Sequence, residues 1–163
     1  MNEELLSIIE KNSRIGLKDL AVMLNLSEET VLNELETFEK EGVICGYHTL
    51  IDWEKTSIEK VTALIEVRVT PQRGQGFDKI AERIYNYPEV RAVYLISGGF
   101  DFLVILEEKS LREISNFVSD KLSTLDNVLS TATHFILKKY KDHGTVFAKK
   151  HEDEREIITP WQK

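Results

Sequence analysis

Apolar residues in the first quarter of the chain recur every three or four positions, the spacing of one helix face. Leu5, Leu6, Ile8 and Ile9 predict a helix over residues 3–12, which Asn12 and Ser13 end, with Ile15 packing in the connection. Leu17, Leu20, Ala21 and Leu24 mark a second helix, opened by Gly16 as a weak N-cap and with Asp19 in its first turn. Val31, Leu32, Leu35 and Phe38 mark a third. Asn25 and Leu26 make the turn between the last two. Ser27 can cap the third helix through its hydroxyl, and Gly42 stands where a left-handed C-terminal cap is needed. Leu17–Gly46 is therefore a helix-turn-helix, a motif whose second helix enters the major groove of DNA.

After Gly42 the period changes to two. Val43 to Ile51 is β-rich and reads as a strand leaving the helical domain, with a polar turn at Asp52–Ser57. Val61–Val69 is a strand, Pro71–Gly76 a loop, and Phe77, Ile80, Ala81 and Ile84 one face of a helix that stops before Pro88. Val90–Ser97 and Phe102–Leu106 are strands joined by a tight turn at Gly98–Asp101. Ser110 caps a helix with Leu111, Ile114, Phe117, Val118 and Leu122 inward, and Val128–Leu137 is a last strand. The order β-α-β-β-α-β is ferredoxin-like: an antiparallel sheet with two helices on one face. Its other face needs a cover, and dimerisation is the simplest one. The fold class is α+β, with a winged-type helix-turn-helix domain at 1–45, a linker strand and turn at 46–60, a ferredoxin-like domain at 61–141 and a tail at 142–163. From residue 138 onward the chain is locally basic and then acidic, with low periodicity, and reads as an arm across a partner subunit or a partly disordered end.

Composition narrows the class. In 163 residues, 42% are hydrophobic and 30% charged, which suits a packed core and a soluble surface. No apolar run approaches a membrane span, and MNEELLSIIEKN lacks the basic start of a signal peptide. One cysteine, Cys45, excludes an internal disulfide and a cysteine-based metal cage. A cytoplasmic protein is expected. His134, His143 and His151 are too scattered for a metal site. No serine, cysteine or lysine has a recognisable base partner and no phosphate-binding glycine loop is present, so neither a catalytic set nor a cofactor is expected. Gly74-Gln75-Gly76 before a helix reads as a solvent loop, or as an anion site at the helix start.

Charge complicates the DNA reading. The net charge is −7, and residues 1–50 carry four basic side chains against ten acidic ones. From Glu28 to Glu39 there are five glutamates and no lysine or arginine. Glu29, Thr30, Asn33, Glu34 and Thr37 face outward on the reader helix. Asn33 can pair with adenine, and Thr30 and Ser27 can touch phosphate or a thymine methyl. Glutamate can accept from cytosine but is repelled by phosphates. Arg14, Lys18 and Lys40, with His48, flank the helix and are the cations available for phosphates. Low affinity per subunit is expected, offset by joining several half-sites in an oligomer.

The segments LLSIIEKNSRIGLKDLA and FEKEGVICGYHTLID, the YPEV before the second strand and the turn SGGFDF stand in an order that resembles the Lrp/AsnC (feast/famine) family of transcription regulators. In SGGFDF, Gly98 and Asp101 match the family's turn, while Gly99 and Phe100 replace its usual Asp and Tyr. The family usually carries arginines near positions 33 and 34, where this chain has none. The resemblance implies a dimer formed through the sheets, often assembled into octamers, and a small effector, commonly an amino acid, bound between dimers. It implies an effector site at Gly98, Gly99, Phe100 and Asp101, with Asp126, Thr131 and Thr133 from the last loop and strand. The residues alone also allow a plain hairpin turn there. Two other functions compete with regulation: a sensing or assembly module whose helix-turn-helix no longer reads DNA, and an enzyme resembling the sirohaem decarboxylases, for which His134 with Arg91 or Arg68 are the candidates.

Overall fold

A computed structural model describes residues 2–70 and 76–147. The chain divides into two compact units, Met1–Leu50 and Ile51–Lys163.

The first unit holds three helices: α1 (Glu3–Lys11), α2 (Leu17–Leu24) and α3 (Glu28–Lys40). Asn2 caps α1, its side-chain oxygen accepting the Leu5 N–H at 3.2 Å. Asn25 ends α2 in the left-handed region at φ 53°, and the Leu26 N–H bonds back to the Ala21 carbonyl. Ser27 caps α3 by accepting from the Thr30 N–H at 3.1 Å. Gly42, at φ 73°, reverses the chain after α3, so that the Val43 and Ile44 N–H groups both reach the Phe38 carbonyl. Leu5, Leu20, Ala21, Val31 and Phe38 form the buried core. Leu32, expected inside, is 43% exposed. Val31, Leu35 and Phe38 already form the stripe that three helices can cover, and Leu32 lies about 100° round from Val31.

The segment 43–51, expected as a strand, joins no ladder among the described residues. β-rich composition makes a strand only where a partner completes the hydrogen bonds, and none does so among the described residues.

The second unit begins with a 3-10 turn, Trp53–Lys55. Its elements are then β1 (Val61–Val69), α4 (Asp78–Tyr85), β2 (Val90–Leu95), β3 (Phe102–Glu108), α5 (Leu111–Phe117), a π-helical turn (Val118–Leu122) and β4 (Val128–Phe135). The strands lie in the order β2-β3-β1-β4, all antiparallel, which is the ferredoxin-like arrangement. Ala63, Ile65, Val67 and Val69 of β1 and Phe102, Val104 and Leu106 of β3 pack against Ile80 and Ile84 of α4 and Ile114, Phe117 and Leu122. The opposite face carries Leu64, Leu103 and Ile105, half-buried, and Tyr94, exposed. Leu111, expected inward, is 54% exposed, because Ile114 and Phe117 fill the inner face of so short a helix. β2 stops at Leu95 rather than Ser97. β4 stops at Phe135 rather than Leu137, since β1 starts at Val61 and the last bond is Ile136 N–H to the Thr62 carbonyl.

The chain beyond residue 137 contains an element that the sequence pattern did not reveal. β5 (Lys141–Asp142) and β6 (Thr145–Val146) form a small hairpin. The rest of the tail, from residue 148, and the loop at Gly74-Gln75 lie outside the described residues.

Candidate functional site

The helix-turn-helix keeps its turn and caps, and their bonding sorts its candidate readers into committed and free. Ser27 Oγ serves as the cap and lies 2.8 Å from Thr30 Oγ1. Thr37 Oγ1 donates to the Asn33 carbonyl at 2.7 Å. Glu34 is half-buried and accepts from Asn2 Nδ2 at 2.8 Å, which ties α3 to the start of α1. Asn33 and Glu29 are exposed, and their side chains make no hydrogen bond among the described residues. Asn33, Thr30 and Thr37 border a shallow depression of about 510 Å³, with Glu34 and Glu41 as its acidic side. Arg14, Lys18 and Lys40 are exposed at the α1–α2 turn, the start of α2 and the end of α3, and none forms an ion pair among the described residues. Tyr47 donates its hydroxyl to Glu39 at 2.7 Å. That bond, then burial and the Glu39 charge, raise the Tyr47 pKa, so the hydroxyl keeps its proton and holds the segment after α3 against the helix. Sequence spacing could not show the Asn2–Glu34 and Tyr47–Glu39 bonds, since each depends on the tertiary path.

The second candidate lies at one end of the sheet. The loop from β2 to β3 is closed by Ile96 N–H to the Asp101 carbonyl at 2.8 Å, and the Asp101 N–H bonds the Val67 carbonyl at 3.0 Å. Asp101 Oδ2 accepts the Val69 N–H at 2.8 Å, where the β1–β4 register shifts between Arg68 and Val69. The aspartate therefore serves a backbone group just beyond the end of the β1–β3 ladder, whose last pair is Val67 with Phe102, which is the plain role that the turn allowed. Its Oδ1 has no partner among the described residues. On the other side of β1, the Thr70 N–H bonds the carbonyl of buried Asn127 at 2.9 Å. The end of β1 thus brings Asp101 and the Asp126–Asn127 loop to its two flanks. Thr131 and Thr133 stand across β1, in register with Val67 and Ile65, and do not reach the turn.

Gly98 and Gly99 are not required by the backbone, as neither has positive φ. A Cβ on Gly99 would meet nothing within 4 Å, and one on Gly98 only Ile96 Cγ2 at 3.7 Å. Both are exposed, and neither the backbone conformation nor the surrounding packing requires glycine there.

At the opposite end of β1 a cavity of about 380 Å³ is lined by Trp53, Ile58, Lys60, Glu107, Ile136 and Phe147. Lys60 bridges Glu107 and lies 3.9 Å from the centre of the Trp53 ring. The residues considered for tetrapyrrole chemistry are apart: Arg68 pairs across with Ser130, four positions along β4 from His134, and Arg91 sits on β2, beyond β3. His134 faces Glu66 at 3.2 Å and His143 faces Asp142 at 2.8 Å.

A helix-turn-helix unit followed by an α+β sheet unit is the build of a two-domain transcriptional regulator, and comparison with known proteins specifies which. Residues 62–146 match the Lrp/AsnC ligand binding domain, and residues 2–44 match a winged helix-turn-helix DNA-binding domain. The chain belongs to the Lrp/AsnC family of transcriptional regulators. It is 49% identical to the HTH-type transcriptional regulator YugG of Bacillus subtilis over 158 residues, covering 96% of this chain and 95% of that protein. It is 28% identical to a proline dehydrogenase transcriptional activator of Rhodobacter capsulatus, covering 78% and 82%. Among solved structures, a transcriptional regulator of Neisseria meningitidis in complex with L-methionine shares the fold at TM-score 0.68, with 24% identity over 85% of this chain and 88% of that one. Escherichia coli AsnC does so at TM-score 0.63 and 19% identity, covering 83% and 89%. The family and its named relatives are transcriptional regulators, not enzymes.

Proposed function

We propose that this regulator is a cytoplasmic protein that binds double-stranded DNA through α2, the turn and α3, as a homodimer or as an octamer assembled from dimers. A small effector, an amino acid, modulates it at the contact between dimers beside Gly98–Asp101. Residues 1–45 are the reader, 46–60 the linker, and 61–141 the effector-binding and oligomerisation domain. The observation that carries the effector reading is the turn itself. Two glycine amides stand open with no need of their own for glycine, beside a carboxylate with one oxygen free. An α-amino acid offers the complement, an ammonium for Asp101 and a carboxylate for the amides. Phe100 and Asp126 border the same end, and Thr131 and Thr133 complete the set across the assembled interface. The L-methionine held by the Neisseria regulator supports an amino acid as the ligand class. The half-buried apolar face of the sheet, Leu64, Leu103 and Ile105, supports pairing of sheets in the dimer.

DNA contact rests on Arg14, Lys18 and Lys40 for phosphates and on Asn33 for base reading, with Ser27, Thr30 and Thr37 along the same helix. Glu29 and Glu34 lower the affinity. An effector that binds one dimer arrangement better than another shifts half-site spacing, which is how ligand binding reaches DNA. Fluorescence titration against the DNA upstream of its own gene, at about 50 and about 200 mM salt and with and without L-methionine, tests this. Salt-sensitive binding that responds to an amino acid is expected. No binding at micromolar protein would favour the second reading, which the glutamates of α3 support: a sensing module whose helix-turn-helix no longer reads DNA.

A further inference from the structure

We propose that the hairpin at the end of the sheet unit is a second contact to duplex DNA, a clamp on the phosphate backbone that supplies cations the reader helix lacks. The proposal rests on the reading that this chain binds DNA. Residues 138–141 are Lys-Lys-Tyr-Lys and lead directly into β5. His143 at φ 42° and Gly144 at φ 77° occupy the two central turn positions, both left-handed, the backbone of a type I′ hairpin. The Phe147 N–H closes the base on the Tyr140 carbonyl at 2.9 Å. Lys141 therefore sits on a shaped element, and Lys138 and Lys139 in the segment that leads into it.

Lys138, Lys139 and Tyr140 precede β5 outside any ladder, and Lys138 Nζ lies 5.2 Å from the Tyr140 ring centre. Lys139 and Lys141 lie two positions apart, a spacing that lets them engage different phosphates of one DNA strand, whose charges recur every ~3.4 Å along the axis. None of the three lysines forms an ion pair among the described residues. Tyr140 is 65% exposed, and its hydroxyl has no partner there. The one acid of the hairpin, Asp142, faces His143 at 2.8 Å. Lysine and tyrosine are side chains that bind phosphate and fix position without reading bases. α3 is the converse, with polar side chains for base edges and almost no positive charge.

The test compares the full-length wild type with Lys138→Ala/Lys139→Ala/Lys141→Ala. A control, Lys79→Ala/Lys109→Ala/Arg112→Ala, removes equal charge from exposed positions elsewhere in the sheet unit. Each is titrated with its own upstream DNA and with a random duplex across salt, and thermal melts confirm folding. The hairpin variant is expected to lose about tenfold in affinity on both DNAs and to show a salt slope shallower by up to about three per subunit, with the control unchanged. Equal slopes for wild type and hairpin variant overturn the proposal. So does tighter binding by the variant, which would mean that the hairpin competes with DNA for the acidic helix. If the wild type prefers its own DNA no more than the random duplex, the regulator reading fails, while the slope on random duplex still decides the role of the hairpin.

Discussion

The two units bury their apolar faces by the same rule but present opposite surfaces. The helical unit closes on five buried residues and turns a row of glutamates outward. The sheet unit closes on twelve buried residues and carries Lys138, Lys139 and Lys141 in and just before its small hairpin, outside any ion pair among the described residues. Capping and packing made α3 a sound helix without making it a strong phosphate binder, because the buried stripe and the exposed face are set by different residues. Fold and affinity are thus separable within one motif. A helix-turn-helix can be intact while the charge that holds DNA lies elsewhere.

The core sizes give the largest expected effects. Phe102→Ala, which empties a fully buried ring position, should cost about 3–5 kcal/mol and unfold or severely weaken the sheet unit. Leu5→Ala should cost about 2–5 kcal/mol. That is comparable to the whole stability of a unit with so small a core, so DNA binding disappears while the sheet unit keeps its own melting transition. Calorimetry of both variants, read with DNA titration, checks the contrast. A single shared loss in both variants would break it.

Asp101 separates structural from ligand duties at the turn proposed to hold the effector. Asp101→Ala strips the Val69 N–H of its acceptor and should lower stability by about 1–3 kcal/mol. Asp101→Asn keeps an acceptor and should restore most of that stability while leaving the amino-acid response lost. Chemical denaturation and effector titration together read the split. If Asp101→Asn responds to amino acids like the wild type, the carboxylate has only its backbone role.

Glu89 gives the smallest effect. Its hydrogen bond to Lys121 holds the carboxyl below its ordinary range, against the opposing effect of burial. A carboxyl lowered in the folded state stabilises it above the unfolded pKa, and the benefit is lost as pH falls through the folded value. Lys121 is 41% exposed, so Glu89→Gln should flatten the acid side of the stability profile by well under about 1 kcal/mol. Melting curves from neutral to acid pH measure it.

Much of this architecture was legible because periodicity reports burial. The alternation in Val61–Val69 and the helical spacing of Val31, Leu35 and Phe38 are direct traces of a core, and Ser27, Ser110 and Gly42 are caps with local causes. What the pattern misplaced depended on partners far away in sequence. Leu32 and Leu111 are apolar but stand beyond what their neighbours can cover. Val43–Ile51 has strand composition and no strand beside it. The hairpin after residue 140 escaped because two-residue strands carry no period, although His-Gly at its tip is a turn signal. The Gly98–Asp101 turn was legible as a turn, and its proposed use comes from family resemblance. Its bond to Val69 and the openness of its glycines required the fold.

The central claim is that α3 is a reader short of phosphate-binding charge. The most direct test is the slope of log affinity against log salt for the full chain on its own upstream DNA, wild type against Glu29→Lys/Glu36→Lys. Both positions are exposed, and the Asn2–Glu34 bond is left intact. Salt-sensitive binding by the wild type is expected, and tighter binding by the variant with a slope steeper by about two per subunit. A variant that matches the wild type in affinity and slope would contradict it, since α3 would then lie away from the phosphates.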